Sequence, residues 1–237
     1  GEAEAGGRSY AYADLSGRDG EAVTIDYGDR VPRVFRGRPL TLRDLGLTPR
    51  PERPSFLPVT GFSEAPPRGV EVHLPLGAEG TLVGTRFRVL AILARSVEED
   101  GERFGWQEYL LHAPAEGFRW LVVSEGHWSF VESVEPGTVR TSEEHAVYEG
   151  ERYKPLSGGR ARLDWAAGEL PWEVSPGDTS TVRDWVRAPH LLSREVTEDE
   201  VAWSRASYLP PAVLLQAFGL RVLPRPRGRA PHAPKNV

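Results

Sequence analysis

The sequence predicts a mainly β fold: antiparallel meanders forming a sandwich or a partly open barrel, with a candidate duplication and short C-terminal helices. Three observations carry that expectation. Residues 102–134, ERFGWQEYLLHAPAEGFRWLVVSEGHWSFVESV, hold three of the seven tryptophans. Across Arg103–His112, Phe118–Ser124 and His127–Val134 they alternate apolar with polar side chains at the period of a strand. Turn residues recur about every ten positions through the middle of the chain, as in sandwiches and barrels. Finally, 25 glycines and 21 prolines in 237 residues, 39% apolar and 27% charged, leave little room for long helices.

Taken in order, Gly1–Gly7 (GEAEAGG) reads as linker and is set aside. Ser9–Leu15 and Ala22–Tyr27 read as a hairpin around a Ser-Gly-Arg-Asp-Gly loop, followed by a short strand at Val31–Arg36 and a helical turn at Leu40–Leu45. Residues 1–47 thus form a small N-terminal β unit. Residues 48–69 contain six prolines and read as a linker or an irregular loop wrapped over another surface. Residues 70–220 form the main β-rich domain, which starts with a long apolar strand, Thr81–Ala94, bent at Gly84.

After the central meander, strands are expected at Ala146–Glu149, Glu151–Lys154, Gly159–Trp165, Glu169–Val174 and Thr179–Val186. Gly150, Ser157-Gly158, Ala167-Gly168 and Pro176-Gly177-Asp178 separate them. The steps from Gly84 to Phe87 and from Gly150 to Tyr153 suggest the duplicated β unit. Thr197 and Glu200 form a capping-box pattern that predicts a helix over Val201–Ala206. Pro210-Pro211 opens a second helix, Ala212–Phe218, closed by Gly219. Residues 221–237 hold five basic residues, four prolines and no acid, and are expected to be extended and mobile.

Composition narrows the chemistry. A net charge of −5 argues against nucleic acid as a partner, because phosphate contacts require a basic face. Without cysteine there is no disulfide, no thiolate-bound zinc and no cysteine nucleophile. Methionine is absent even at position 1, so the expectation is a sequence that begins inside a longer chain or after processing. No run of about 18 apolar residues is present.

Several separate motifs resemble the bacterial domain-of-unknown-function family 4178. They are Leu76-Gly77 with Gly80 and Gly84, Trp106-Gln107-Glu108-Tyr109-Leu110-Leu111, Gly117-Phe118-Arg119-Trp120-Leu121 and Gly126-His127-Trp128. Further along come Gly168-Glu169-Leu170-Pro171-Trp172, Gly177-Asp178, Leu191-Leu192-Ser193 with Glu195, Trp203 and Tyr208. Near the start, Tyr12-Ala13-Asp14-Leu15 and Thr24-Ile25-Asp26-Tyr27 look like the leader of longer members. The resemblance implies a domain of larger membrane-associated proteins, encoded beside membrane proteins and polyamine-related enzymes. It also implies a cysteine-rich zinc ribbon near residues 50–70. This chain has prolines there and no cysteine, so no metal or cofactor is expected.

The candidate ligand-binding residues are Glu108, Trp120, Glu125, His127, Trp128, Glu169 and Trp172, acids and a histidine among aromatics, as sugar or polyamine sites use. Alternation along Trp106–Leu111 places the Glu108 carboxylate outward, and Glu125 and His127 flank a turn glycine, so solvated side chains are the competing expectation. Trp106, Trp120, Trp128 and Trp172 are expected chiefly to fill the core. The histidines lack a metal-ligand spacing. Ser129 and Ser193 lack a nucleophile elbow, and residues 77–84 lack the P-loop lysine, so no catalytic residue is assigned.

The functional expectation is a non-enzymatic interaction or sensing module of a larger bacterial membrane-associated protein, in envelope-stress or polyamine-linked systems. It would sit at the inner, cytoplasmic face of the membrane, attached through a segment outside this chain, with a membrane or envelope protein as partner and a small cation as a further ligand. The competing reading is a carbohydrate-active hydrolase, or a sugar- or polyamine-binding domain.

Overall fold

The computed structural model describes residues 2–5, 8–16, 22–27, 31–37, 40, 45–46, 55–197 and 200–234. They divide into two compact units, residues 1–51 with 135–154, and residues 52–134 with 155–237. The first unit opens with an antiparallel sheet of β1 (Glu2–Ala5), β2 (Arg8–Ser16), β3 (Ala22–Asp26) and β4 (Arg33–Gly37), in that order. The expected hairpin and third strand are there. Gly1–Gly7, set aside in the sequence reading, supplies β1, whose Glu2–Ala5 backbone pairs with Arg8–Ala11 of β2. The predicted helical turn at 40–45 lies largely outside the described residues.

Next come β5 (Leu57–Pro58), β6 (Glu79–Leu82), β7 (Thr85–Glu99), β8 (Glu102–Ala113), β9 (Gly117–Ser124) and β10 (His127–Val134). A 3-10 turn at Pro136–Thr138, β11 (Arg140–Thr141) and β12 (Ala146–Tyr148) follow in the first unit, where β12 pairs with Glu151–Tyr153. The remaining elements are β13 (Glu151–Leu170), β14 (Thr179–Arg187), β15 (His190–Val196), β16 (Val201–Leu209) and α1 (Pro211–Phe218).

In the second unit the neighbours run β13-β14-β15-β16-β10-β9-β8-β7, and β7 pairs again with β13. This closes an eight-stranded antiparallel barrel and leaves β6 beside β7 and β5 beside β13. Closure demands local bends, and two register shifts supply them, one in β7 between Val89 and Ala91 and one in β13 between Leu163 and Trp165. At the first bend the chains come very close. A Cβ on Gly168 (φ +101) would overlap the Leu90 carbonyl, so only glycine fits there.

Several expectations need correction. Gly84 does not bend one long strand. It forms a two-residue turn with Val83, both at positive φ, between β6 and β7. The pairs Asp100-Gly101, Glu125-Gly126 and Glu149-Gly150 have the same geometry, which matches the right-handed twist of a hairpin. The glycine-aromatic steps at Gly84 and Gly150 therefore share a turn type. Ser157-Gly158 and Ala167-Gly168 do not interrupt strands either, because β13 runs unbroken for 20 residues. Gly158 is small because a Cβ there would lie 3.1 Å from the Val182 carbonyl of the neighbouring strand.

The predicted helix at Val201–Ala206 is strand β16, paired on both sides with β10 and β15. The Thr197 Oγ1 does accept a hydrogen bond from the Glu200 N–H (3.1 Å), but within the loop joining β15 to β16. A capping motif is a local signal, and two ladders of backbone hydrogen bonds outweigh it. In contrast, α1 forms where Pro210-Pro211 and Gly219 predicted it, with Gly219 in the left-handed conformation. Residues 221–234 lack regular structure but are not loose, since Ala230 and His232 are buried.

Which face is the lumen follows from one contact. Arg95 on β7 bonds Glu195 on β15, three strands around the barrel, which only inward side chains can do. Residues sharing ladder rows with Arg95, Leu93 and Ala91 face inward with it: Trp106 and Leu163, Glu108 and Ala166, Leu110 and Gly168. The outward rows of β7–β10 carry the larger apolar cluster, with Ile92, Tyr109, Leu111, Leu121, Trp128 and Phe130 packed with Leu74 and with Leu214 of α1.

Candidate functional site

The lumen is apolar at one end and charged at the other. Ala91, Leu93, Leu110, Leu163, Ala166 and Leu170 fill the apolar part, with Val59, Phe62, Phe118, Trp120 and Val174 packed against them. At the charged end, Arg95 donates from Nη2 to Glu195 Oε1 (2.6 Å) and Ser180 Oγ (2.7 Å), and from Nη1 to Glu195 Oε2 (3.2 Å) and Glu108 Oε1 (3.3 Å). The indole Nε1 of Trp106 donates to the same Glu108 oxygen (2.6 Å), and the Arg95 guanidinium lies 5.6 Å from the Trp106 ring centre. Side-chain exposure is 11% for Arg95 and 15% for Glu108 but 36% for Glu195, so Glu195 marks the open side of the cluster.

Burial opposes the charge of Arg95, yet Glu108 and Glu195 outweigh it and hold the guanidinium pKa above its ordinary value. Burial also pushes the Glu195 carboxyl up, but its hydrogen bonds from Arg95 and the Arg95 charge bring the pKa below the usual carboxylate value. Asp184 differs. It shares a ladder row with Ser193 on the inward face, receives hydrogen bonds from Ser157 (3.0 Å) and Ser193, and has no cationic partner among the described residues. Burial raises its pKa, the serine hydrogen bonds lower it, and the Glu195 charge raises it, for a net upward shift. The same row continues to Ser204 of β16 and Ser133 of β10, giving this end of the lumen a belt of hydroxyls.

The seven residues singled out in the sequence fall into separate places. Glu108 lies in the charged cluster, pointing inward and not outward as strand alternation suggested. The lumen of a barrel can bury a paired charge that an open sheet would leave in water. Trp120 is inward too, 6.0 Å from Trp172, which is 45% exposed. Trp172 lines a cleft of 330 Å³ between residues 57–60 and 172–175. Trp128 is fully buried on the outer face against Tyr109 (5.6 Å) and His73 (5.7 Å). Glu125 and His127 meet the tail, where the Glu125 carbonyl accepts from Arg227 N–H (2.8 Å) and His127 Nε2 lies 3.1 Å from the Arg227 carbonyl.

Glu169 is exposed, and its backbone pairs with Pro58. Glu108 stands opposite Val122 and Leu93, while Glu125 and Glu169 lie three residues beyond this level toward opposite ends. At about 3.3 Å per residue, Glu125 and Glu169 are about 20 Å apart along the strands. These carboxylates do not converge. Arg95, Ser180, Asp184 and Glu195 belong to no contiguous motif, so their partnership is not legible in the sequence. One signal was present: Arg95 is a lone cation closing the apolar run Val89–Ala94.

A second polar cluster holds the tail. Ser129 Oγ and His232 Nε2 are 2.8 Å apart and buried, and Tyr208 stacks edge-on to the His232 ring at 5.5 Å. Burial first, and then the neighbouring His127 and His190, push the His232 pKa down to about 4. Its Nδ1 is buried without a partner among the described residues. Among the described residues no group of three or more His, Asp or Glu is arranged to hold a metal ion, and no helix is long and apolar enough to cross a membrane.

No curated protein and no solved structure matches this chain. The family described as "Domain of unknown function (DUF4178)" matches residues 75–211. That span covers β6 to the start of α1, every barrel strand included, and more than half of the sequence. A match over more than half of the chain places it in the family: this is a DUF4178 protein.

Proposed function

We propose that the chain is a non-enzymatic sensing module of a larger bacterial membrane-associated protein, and that the charged end of its lumen takes a small organic cation of the polyamine class. The observation that carries this is a charge imbalance among the described residues of the lumen: three carboxylates, Glu108, Glu195 and Asp184, stand against one guanidinium, Arg95, which pairs with the two glutamates. Arg95 is saturated by the two glutamates, whereas Asp184 has only hydroxyl donors and an upward-shifted pKa. An ammonium group there would supply the missing positive charge, and the serine belt offers acceptors for its remaining N–H groups.

Against an enzymatic role stands the Ser129–His232 pair, which resembles a nucleophile and base but is buried and has no third group on Nδ1 to orient the imidazole. The basic, proline-containing tail supports placement at the cytoplasmic face of a membrane, where a membrane or envelope protein would be the partner.

The test is calorimetry with spermidine at low ionic strength. Binding is expected for the wild type, at least tenfold weaker in Asp184→Asn. Equal affinity in the two proteins, or no binding to either, would overturn the reading.

A further inference from the structure

On the outer face of β14–β16 a different arrangement stands apart from the lumen. Arg183 of β14 and Arg194 of β15 are directly opposite each other in the ladder, and the row continues to Trp203 of β16. Directly opposed side chains have Cβ atoms about 5 Å apart, and like charges in such a pair destabilise a sheet. Among the described residues neither arginine has a carboxylate partner. Instead, the Arg183 guanidinium lies 5.3 Å from the Trp185 ring centre and that of Arg194 lies 5.9 Å from Trp203. The two indoles are themselves stacked, 5.3 Å apart at 26° and almost fully buried, so they form a fixed aromatic backing for both guanidinium groups.

Burial and then the Arg183 charge lower the Arg194 pKa, and its buried Nε has no acceptor among the described residues. Two positioned cations with no anion among the described residues, one of them with an unpaired donor, describe a half-built recognition site. We infer that Arg183 and Arg194 form an oxyanion site that binds a phosphoryl group, carried either by a soluble phosphate or by an anionic lipid headgroup. The geometry favours it because two arginines at directly opposed ladder positions, each backed by an indole, offer several N–H donors to one tetrahedral anion. Its charge would also relieve the repulsion between the two arginines. The tryptophans act as positioning residues, too buried to touch the ligand.

Calorimetry with inorganic phosphate at low ionic strength tests this, with cosedimentation on phosphatidylglycerol and phosphatidylcholine vesicles as a second arm. In at least one arm the wild type should bind, and Arg183→Gln and Arg194→Gln should each weaken binding at least tenfold. Arg86→Gln, an exposed arginine already paired with Glu79, should leave it unchanged. Arginine-dependent retention on phosphatidylglycerol alone assigns the site to a headgroup, and arginine-dependent phosphate binding alone assigns it to a soluble ligand. No binding in either arm overturns the inference, as does binding that survives Arg183→Gln, whose exposed side chain can change without disturbing the fold.

Discussion

The two faces of the barrel wall do opposite work. The outward side of β7–β10 is dry and apolar, closed by α1 and by Leu74. The lumen, where a small barrel would ordinarily place its hydrophobic filling, is apolar only at one end and carries Arg95, Glu108, Glu195 and Asp184 at the other. The difference separates stability from recognition. Burying apolar area on the outside, at about 25 cal/mol per Å², can hold the barrel together while part of the inside stays polar.

If the outer face carries the stability, its truncation should have the largest effect. Trp128→Ala removes a fully buried indole and should destabilise the second unit by about 3–5 kcal/mol, read by chemical denaturation. A loss below about 1 kcal/mol would mean that the core lies elsewhere. Next in size, Arg95→Met strands two carboxylates in the lumen and should cost about 3 kcal/mol. Adding Glu108→Gln and Glu195→Gln to it should recover much of that loss. If Arg95→Met alone is neutral, water reaches the cluster freely and the lumen is not a low-dielectric site.

A third test concerns the tail. His232 has a folded pKa of about 4, below the ordinary histidine value of 6.5, so the unfolded chain binds the extra proton. Stability from this group is complete above pH 6.5 and is lost as pH falls from there through 4, by up to about 3 kcal/mol. His232→Asn should flatten that part of the pH profile. An unchanged slope would show that the tail does not shield His232 in solution. The smallest effect belongs to Asp184. Its folded pKa is raised, so the ionised form counts against the fold as pH rises past its ordinary value. Asp184→Asn should stabilise the protein at pH 7 by about 1 kcal/mol or less. Destabilisation by Asp184→Asn would indicate that the carboxylate already has a cation in the protein as prepared.

Parts of this architecture are readable in the sequence because their determinants are local. The β8–β10 meander follows from alternating side chains and turn glycines, and α1 follows from the prolines before it and Gly219 after it. Where two signals compete, the local one misleads. Thr197 and Glu200 suggest a helix start, yet β10 and β15 recruit Val201–Leu209 as a strand. Glycines 158 and 168 look like breaks but mark close backbone approach inside one strand. The charged cluster is the least legible feature, since Arg95 and Glu195 are 100 residues apart and meet only because β7 pairs with β13 to close the barrel. Alternation shows which residues share a face, but closure decides that the face of Glu108 is the lumen.

The central claim, that the charged lumen end is the recognition site and the outer face its support, can be read directly from carboxyl carbon NMR shifts on titration with spermidine. The expected result is saturable movement of the Asp184, Glu195 and Glu108 carboxyl signals, with exposed carboxylates such as Glu169 and Glu173 unmoved. Movement of the exposed carboxylates with the lumen signals fixed would contradict it.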